Sequence, residues 1–244
     1  MNSAHTNNTS SSITAVVIGR AGSKGLPGKN AKDLAGRPMI CHTIEDALQA
    51  ELVDRVLVST DGEAIASAAE AMGVPVISRP PELANDTATV DSAVRHAVDT
   101  SDDPADVFVV LYANVPIRPP ELIDRAIRRL LSSGGDSVQS YSPVGKHHPY
   151  WMNTLDGENR VLPHVVNAVY RRQDLPSLLL PNGGVIAVTR ASLFTVIEGE
   201  PHAFLGKDRR GIITPEGSVI DVDTPLDFTV AEAILSRERL ETPA

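Results

Sequence analysis

Ile13-Thr14-Ala15-Val16-Val17-Ile18-Gly19-Arg20-Ala21-Gly22-Ser23-Lys24-Gly25-Leu26-Pro27-Gly28-Lys29-Asn30 is the stretch from which the rest of the chain can be read. Its apolar opening reads as a first strand over 13–19, and a helical pattern begins near Met39. The segment between them therefore sits at the carboxyl end of a strand, where open α/β sheets place their ligands. From Arg20 to Arg37 it carries five basic side chains and one acid, in a chain of formal net charge −9. Glycine lets backbone N–H groups approach a phosphate closely, and Arg20, Lys24, Lys29 and Lys32 supply the countercharge that a nucleoside triphosphate demands.

The spacing excludes two common phosphate loops. Gly19, Gly22 and Gly25 are three apart, which is not the G-x-G-x-x-G of dinucleotide folds, and Gly28-Lys29 is followed by Asn30, with Ser23 where the first Walker glycine would stand. Neither a dehydrogenase nor a P-loop ATPase is indicated.

Outward from this loop, short β-rich runs alternate with amphipathic stretches, the pattern of a mostly parallel sheet covered by helices. Strands are expected near 13–19, 54–59, 74–78 and 106–112, and helices near 39–50, 62–72, 88–99 and 120–132. Ile44, Ala47 and Leu48 set one apolar helix face, and Val90, Ala93, Val94 and Ala97 another. After Gly134-Gly135 the rhythm changes: 137–142 and 150–154 read as short strands among polar and proline-bearing segments, an inserted lobe of about 135–181. Core-like pattern returns at 184–188 and 218–222. A last helix follows from about Pro225 to Arg237, with Thr224 as its N-cap, Pro225 at its first position and Asp227 as the acid of its first turn. The reading is one α/β domain over 13–244 behind a disordered polar tail, 1–12.

Composition narrows the function. The 244 residues can bury a substantial core, and 22% charged with 42% hydrophobic content is ordinary for a globular chain. An acidic balance with a single local basic patch argues against nucleic-acid binding and leaves small anionic ligands open. Cys41 is alone, which excludes an intramolecular disulfide and suits a reducing cytoplasm; it is read as core. The first dozen residues lack the charged start and apolar centre of a signal peptide, and no apolar run approaches membrane-spanning length, so no membrane partner is expected.

A second chemical signal lies at Ile220-Asp221-Val222-Asp223. On a strand, Asp221 and Asp223 would project on one side, about 6.6 Å apart at Cα. Such a pair facing a phosphate loop suits Mg²⁺, which favours carboxylates together with phosphate oxygens and retained water. The same two acids could also merely end a strand and precede a helix. Ser59-Thr60-Asp61, after the second strand, reads better as a helix N-cap than as part of a nucleotide crevice.

With the loop, Arg171-Arg172-Gln173-Asp174-Leu175-Pro176 and the paired aspartates in hand, the chain resembles the CMP-sialic acid synthetase (acylneuraminate cytidylyltransferase) family from about Ile13 to Leu235. Val58 to Asp61, Arg79 to Thr89, His147 to Trp151 and Pro181 to Gly184 match further motifs in the family's order. The resemblance implies a Rossmann-like nucleotidyltransferase that joins CMP from CTP to an acidic nine-carbon sugar, a nonulosonic acid, and releases pyrophosphate. It further implies a homodimer made through the inserted lobe. Gly19, Arg20, Gly22, Ser23, Lys24, Gly25, Lys29 and Asn30 fall at its triphosphate loop and Arg79 near the nucleoside. Asp221 and Asp223 match its Mg²⁺ carboxylates. Arg172, Gln173 and Asn182, with Tyr112 and Asn114, fall on the acceptor side. Arg20, Lys24, Asp221 and Asp223 are the expected catalytic groups.

The chain departs from the family pattern in its first loop, where Ile18 and Ala21 replace a common proline and glycine, and more fully in one later segment. Leu111-Tyr112-Ala113-Asn114-Val115-Pro116-Ile117-Arg118 stands where most members carry L-Q-P-T-S-P-L-R, so Tyr112 replaces the glutamine that meets the sugar in sialate enzymes. That leaves the acceptor open among sialate, legionaminate and pseudaminate types. It also keeps in view a CMP-Kdo synthetase-like enzyme and a CTP-binding homologue without transfer activity. His147 and His148 read equally as groups near a sugar carboxylate or as a polar turn, and Tyr150 and Trp151 as packing within the lobe.

Overall fold

The structure is a computed structural model, which describes residues 11–23 and 25–241. The chain forms β1 (Ile13–Ile18), β2 (Asp33–Leu34), β3 (Arg37–Pro38), α1 (Met39–Gln49), β4 (Arg55–Thr60), α2 (Glu63–Ala71), β5 (Val76–Ser78), α3 (Val90–Thr100) and β6 (Val107–Tyr112). It continues with α4 (Leu122–Ser133), β7 (Ser137–Pro143), β8 (Asn153–Leu155), β9 (Val161–Pro163), β10 (Leu179–Thr189), α5 (Arg190–Leu193), β11 (Arg209–Ile213) and α6 (Pro225–Glu241).

Seven strands make the main sheet in the order β11-β7-β10-β6-β1-β4-β5. Only β10 runs against its neighbours, antiparallel to both β6 and β7. The mostly parallel sheet expected from the alternating pattern is thus present. All six residues of β1 are buried because helices cover both faces. Ala15 and Val17 pack with Ile40 and Ile44 of α1 and Ile127 of α4. Val16 and Ile18 pack the other way, with Val94 and Val98 of α3 and Phe108 of β6. Cys41 is buried in the first of these layers, as its position on the apolar face of α1 predicts. Leu48, expected on the same face, instead points to solvent at 51% exposure.

The chain leaves β1 towards β4 and β5 and then returns to the opposite side of β1 with β6. Strand order therefore reverses at β1, and a crevice opens beyond its carboxyl end. A third apolar cluster lies beside that crevice, where Val222, Phe228 and Ala231 pack on Leu34 and Met39, with Leu26 and Ile220 at the margin. It docks the carboxyl-terminal segment against the glycine-rich loop.

Two strand expectations need correction, and one strand was not expected. The run 218–222 is not a strand: Ile220 makes one isolated antiparallel bridge to Ile117, and Val222 N donates to Asn114 O at 2.8 Å. Its partner is an irregular loop, so no ladder can propagate. Tyr150 and Trp151 lie in a 3₁₀ turn, Pro149–Trp151, ahead of the short β8. The polar edge strand β11 went unread because Arg209-Arg210-Gly211 lacks an apolar alternation.

The excursion from the sheet begins after Pro143 and ends at Leu179, since β7 and β10 are both main-sheet strands, whereas the sequence placed the lobe from about 135. Within it, β8 and β9 pair as a hairpin. His148 is buried; it accepts from Tyr150 N at Nδ1 and lies 3.1 Å from Pro176 O at Nε2, while Trp151 Nε1 donates to Val169 O. His148 and Trp151 thus brace the excursion internally. The tail expected over 1–12 falls mostly outside the described residues; Ser12 is described, and its backbone pairs with Asp106 and Val107. Among the described residues no helix is long and apolar enough to cross a membrane.

Candidate active site

A cleft of about 450 Å³ opens at the carboxyl end of β1. Gly19, Arg20, Gly22, Ser23, Gly25, Lys29 and Asn30 form one wall, and Arg79, Tyr112, Asn114 and Asp223 contribute to the rest. Lys24 lies outside the described residues. The remaining wall is the strap of residues 79–89, of which the sequence reading singled out only Arg79; Leu83, Asn85, Asp86, Ala88 and Thr89 line the cleft as well. Asp86 receives Arg20 Nη1 at 2.8 Å, so the strap and the loop meet across the mouth.

Steric limits show why the loop is glycine-rich. A Cβ at Gly25 would stand 2.4 Å from the Asp223 carbonyl oxygen, and one at Gly19 2.8 Å from the Ala113 side chain. Gly28 has φ of 65°, a left-handed conformation that glycine adopts without strain. Asn30 is buried and donates through Nδ2 to Arg20 O at 3.0 Å, while its Oδ1 has no partner. Asp61 is not a helix cap: Gly62 occupies that position, and Asp61 Oδ1 instead accepts from Ala21 N at 2.8 Å, tying the loop to the end of β4. Arg79 is buried and grips Ser59 O at 2.6 Å; burial pushes its pKa down from the usual value.

Although neither is on a strand, Asp223 lines this cleft and Asp221 stands beside it, against Asn114 of the cleft wall. Asn114 Nδ2 lies 2.5 Å from Asp221 Oδ1 and 3.3 Å from Asp223 Oδ1. Lys29 Nζ donates to Asp223 Oδ1 at 2.6 Å and to Val222 O at 2.8 Å. Burial, reinforced by the charge of Asp223, pushes the Asp221 carboxyl up to about 6, with Lys29 opposing. Carboxylates crowded in this way suit a divalent cation. Among the described residues no third His, Cys, Asp or Glu joins them, so a cation would complete its shell with phosphate oxygens and water, as Mg²⁺ prefers. Tyr112 borders the same corner; burial, then Asp221, pushes its phenol up to about 12, so it is neutral at physiological pH.

The remaining acceptor-side residues behave differently. Asn182 accepts from Ser140 Oγ and Gly184 N and donates to Ser142 Oγ and Thr214 Oγ1, so its amide is spent within the protein. It holds the irregularity of β10 between Pro181 and Ile186 and so presents Gly183, φ 72°, beside Tyr112 and Asp221. Arg172 and Gln173 are exposed on the excursion, Arg172 paired with Glu216 at 3.1 Å, and neither lines the cleft. Arg118, which the sequence reading passed over, is buried beneath the Tyr112–Val115 segment.

A reversing α/β sheet with a cationic glycine-rich loop opposite paired carboxylates defines a nucleotidyltransferase-type site. Residues 14–173 match the cytidylyltransferase family, and the chain belongs to it, on the acylneuraminate cytidylyltransferase side. It is 34% identical over 216 residues to the N-acylneuraminate cytidylyltransferase of Streptococcus agalactiae serotype V, covering 87% of this chain and 51% of that one. With the CMP-N,N'-diacetyllegionaminic acid synthase of Legionella pneumophila it shares 32% identity over 229 residues, 91% of this chain and 96% of the relative. The chain thus spans about half the length of the first of these relatives and nearly all of the second. Among solved structures, a CMP:2-keto-3-deoxy-manno-octonic acid synthetase complexed with CTP superimposes with a TM-score of 0.71 at 21% identity, covering 93% of this chain and 100% of that one. That likeness fixes the Rossmann-like fold.

Proposed function

We propose that the protein is a Mg²⁺-dependent cytidylyltransferase that couples CMP from CTP to the anomeric hydroxyl of a nonulosonic acid, of N-acetylneuraminate, legionaminate or pseudaminate type, and releases pyrophosphate. The observation that carries the reading is the meeting of the glycine-rich loop with the dicarboxylate segment at one cleft, where Lys29 reaches Asp223 across 194 residues of sequence and Asp221 adjoins through Asn114. The names of the relatives supply the cytosine base and the acidic sugar.

In-line attack on an α-phosphorus with pyrophosphate leaving requires positioning and charge neutralisation more than covalent chemistry. Arg20 and Lys29, which line the cleft, would neutralise the phosphates from the loop side together with backbone N–H groups around Gly22 and Gly25. Lys24 is proposed to join them on sequence grounds. Asp221 and Asp223 would hold Mg²⁺, which supplies Lewis-acid neutralisation of the triphosphate. Arg79 holds the floor where the nucleoside would rest, and Tyr112 with Gly183 borders the acceptor side. The neutral phenol can donate a hydrogen bond to the acceptor. Arg172 and Gln173, which do not line their own cleft, fit a homodimer in which the excursion reaches the partner's acceptor side. A cytoplasmic setting suits the lone reduced cysteine.

Pyrophosphate release from CTP with a panel of nonulosonic acids, with Mg²⁺ and with chelator, tests this reading. Turnover of Kdo with rejection of N-acylated nine-carbon sugars transfers the protein to the CMP-Kdo class. Tight CTP binding without turnover of any sugar reduces it to a nucleotide-binding homologue.

A further inference from the structure

Arg118 carries a charge where a core would ordinarily carry a hydrocarbon. Its side chain is 2% exposed. All three guanidinium nitrogens are engaged: Nε donates to Gly184 O at 2.6 Å, Nη1 to Val115 O at 2.6 Å, Thr43 Oγ1 at 3.1 Å and Asp46 Oδ2 at 3.0 Å, and Nη2 to Tyr112 O at 3.2 Å. The Thr43 hydroxyl in turn lies 3.2 Å from Tyr112 O and 3.0 Å from Val115 O. One side chain therefore ties together α1, the segment after β6 and the irregular stretch of β10.

Two of those segments form the acidic corner of the cleft. Tyr112 and Asn114 stand on one, with Asn114 against both aspartates, and Gly183 stands on the other. The ladder between β6 and β10 ends at the Val110–Ile186 pair, and β10 also shifts register against β7 between Pro181 and Ile186, so no strand pairing extends to Gly183 or past Tyr112. A buried ion pair is a poor stabiliser compared with a well-packed apolar side chain. A planar guanidinium can do what hydrocarbon cannot, which is to hold three main-chain carbonyls in a fixed fork. None of its hydrogen bonds reaches the glycine-rich loop or Arg79.

We propose that Arg118 is a positioning residue for the transfer step, setting the distance between the Tyr112–Asn114 wall and Gly183 where the acceptor sugar meets the nucleotide. This rests on the cytidylyltransferase reading. Its signature is a split in which acceptor kinetics deteriorate while CTP binding survives.

The test compares Arg118→Lys, which keeps the charge and loses the fork, with Thr43→Val, which keeps the volume and loses the hydroxyl. CTP affinity is measured by calorimetry, acceptor kcat and KM by pyrophosphate release, and folding by Tm. For Arg118→Lys the expected result is a fall in acceptor kcat/KM on the order of a hundredfold, with the CTP dissociation constant moving by less than about threefold. Thr43→Val should shift the same parameters in the same direction by less. Unchanged acceptor kinetics in folded Arg118→Lys, or CTP affinity lost in the same proportion, overturns the proposal. If Arg118→Lys does not fold, Thr43→Val decides, and unaltered acceptor kinetics there overturns it equally. An active wild type with insensitive variants sinks only this inference; a wild type inactive towards every acceptor sinks the cytidylyltransferase reading and this inference with it.

Discussion

Lys29 and Asp223, 194 residues apart in the chain, form an ion pair of 2.6 Å at the edge of the cleft. The pair welds the phosphate loop to the dicarboxylate segment before any ligand arrives. A triphosphate with its cation would give each partner a new counterion, the ammonium a phosphate and the carboxylate a metal. The cleft is thus charge-compensated when empty and suited to a ligand that brings both signs at once.

Asp223→Ala should abolish transfer with little cost in folding. The side chain is 67% exposed and adds nothing to the core, so the loss is confined to its ion pair with Lys29 and stability is expected to fall by about 1 kcal/mol or less. Pyrophosphate release beside a thermal melt checks both halves. Retained turnover would remove the metal assignment.

Gly25→Ala should weaken CTP binding, because the new methyl would stand 2.4 Å from the Asp223 carbonyl oxygen and one of the two segments must retreat. The expected loss in affinity is about tenfold or more, on the scale of a 1.4 kcal/mol change. Titration calorimetry reads it directly. Wild-type affinity in the variant would show that contact between the segments is dispensable.

Asn182→Ala should act on stability before it acts on sugar recognition. Removing the amide strands Ser140, Ser142 and Thr214 in a part-buried network, a loss of about 1–3 kcal/mol. A lowered Tm with acceptor KM raised only as far as Gly183 shifts is expected. A variant with unchanged Tm and a much-raised acceptor KM would instead return Asn182 to direct sugar contact.

His42 gives folding a pH dependence of definite sign. It is buried, with Nδ1 3.0 Å from Arg37 Nη2 and Nε2 3.0 Å from Leu34 O. Arginine can only donate, so Nδ1 accepts, Nε2 carries the proton and the ring is neutral. Burial holds its pKa below the ordinary 6.5. The unfolded chain therefore takes up a proton that the folded chain refuses, and stability is lost as pH falls from about 6.5 towards the folded-state pKa. Tm should drop more between about pH 7 and about pH 5 in the wild type than in His42→Gln. Parallel curves would refute the assignment.

The loop and its neighbourhood were legible because their chemistry is local: Ile13–Ile18 must be a strand, and glycines among cations leave few other uses. Asp61 misled because Ser-Thr-Asp before a helix is a capping pattern, and only the returning loop shows that its carboxylate accepts from Ala21 instead. Asp221 and Asp223 were found by a strand argument that proved wrong in form; what aligns them is Asn114, over a hundred residues away. Arg118 keeps the arginine that ends the family's segment, but its role was not legible, since a charged residue in a proline-flanked loop reads as surface until its five acceptors are assembled from α1, the post-β6 segment and β10. The strap from Arg79 to Thr89 matches a family motif, yet beyond Arg79 no role could be read for its residues, as irregular backbone acquires a role only from what it covers.

The excursion of residues 144–178 departs from β7 and comes home in β10, and those strands are direct partners in the sheet. Its two ends are consequently pinned one strand spacing apart, about 4.8 Å, whatever lies between them. Such a suture makes the arm exchangeable: evolution can lengthen, trim or re-sequence it to suit a new neighbour while the reaction chamber inherits an unaltered frame.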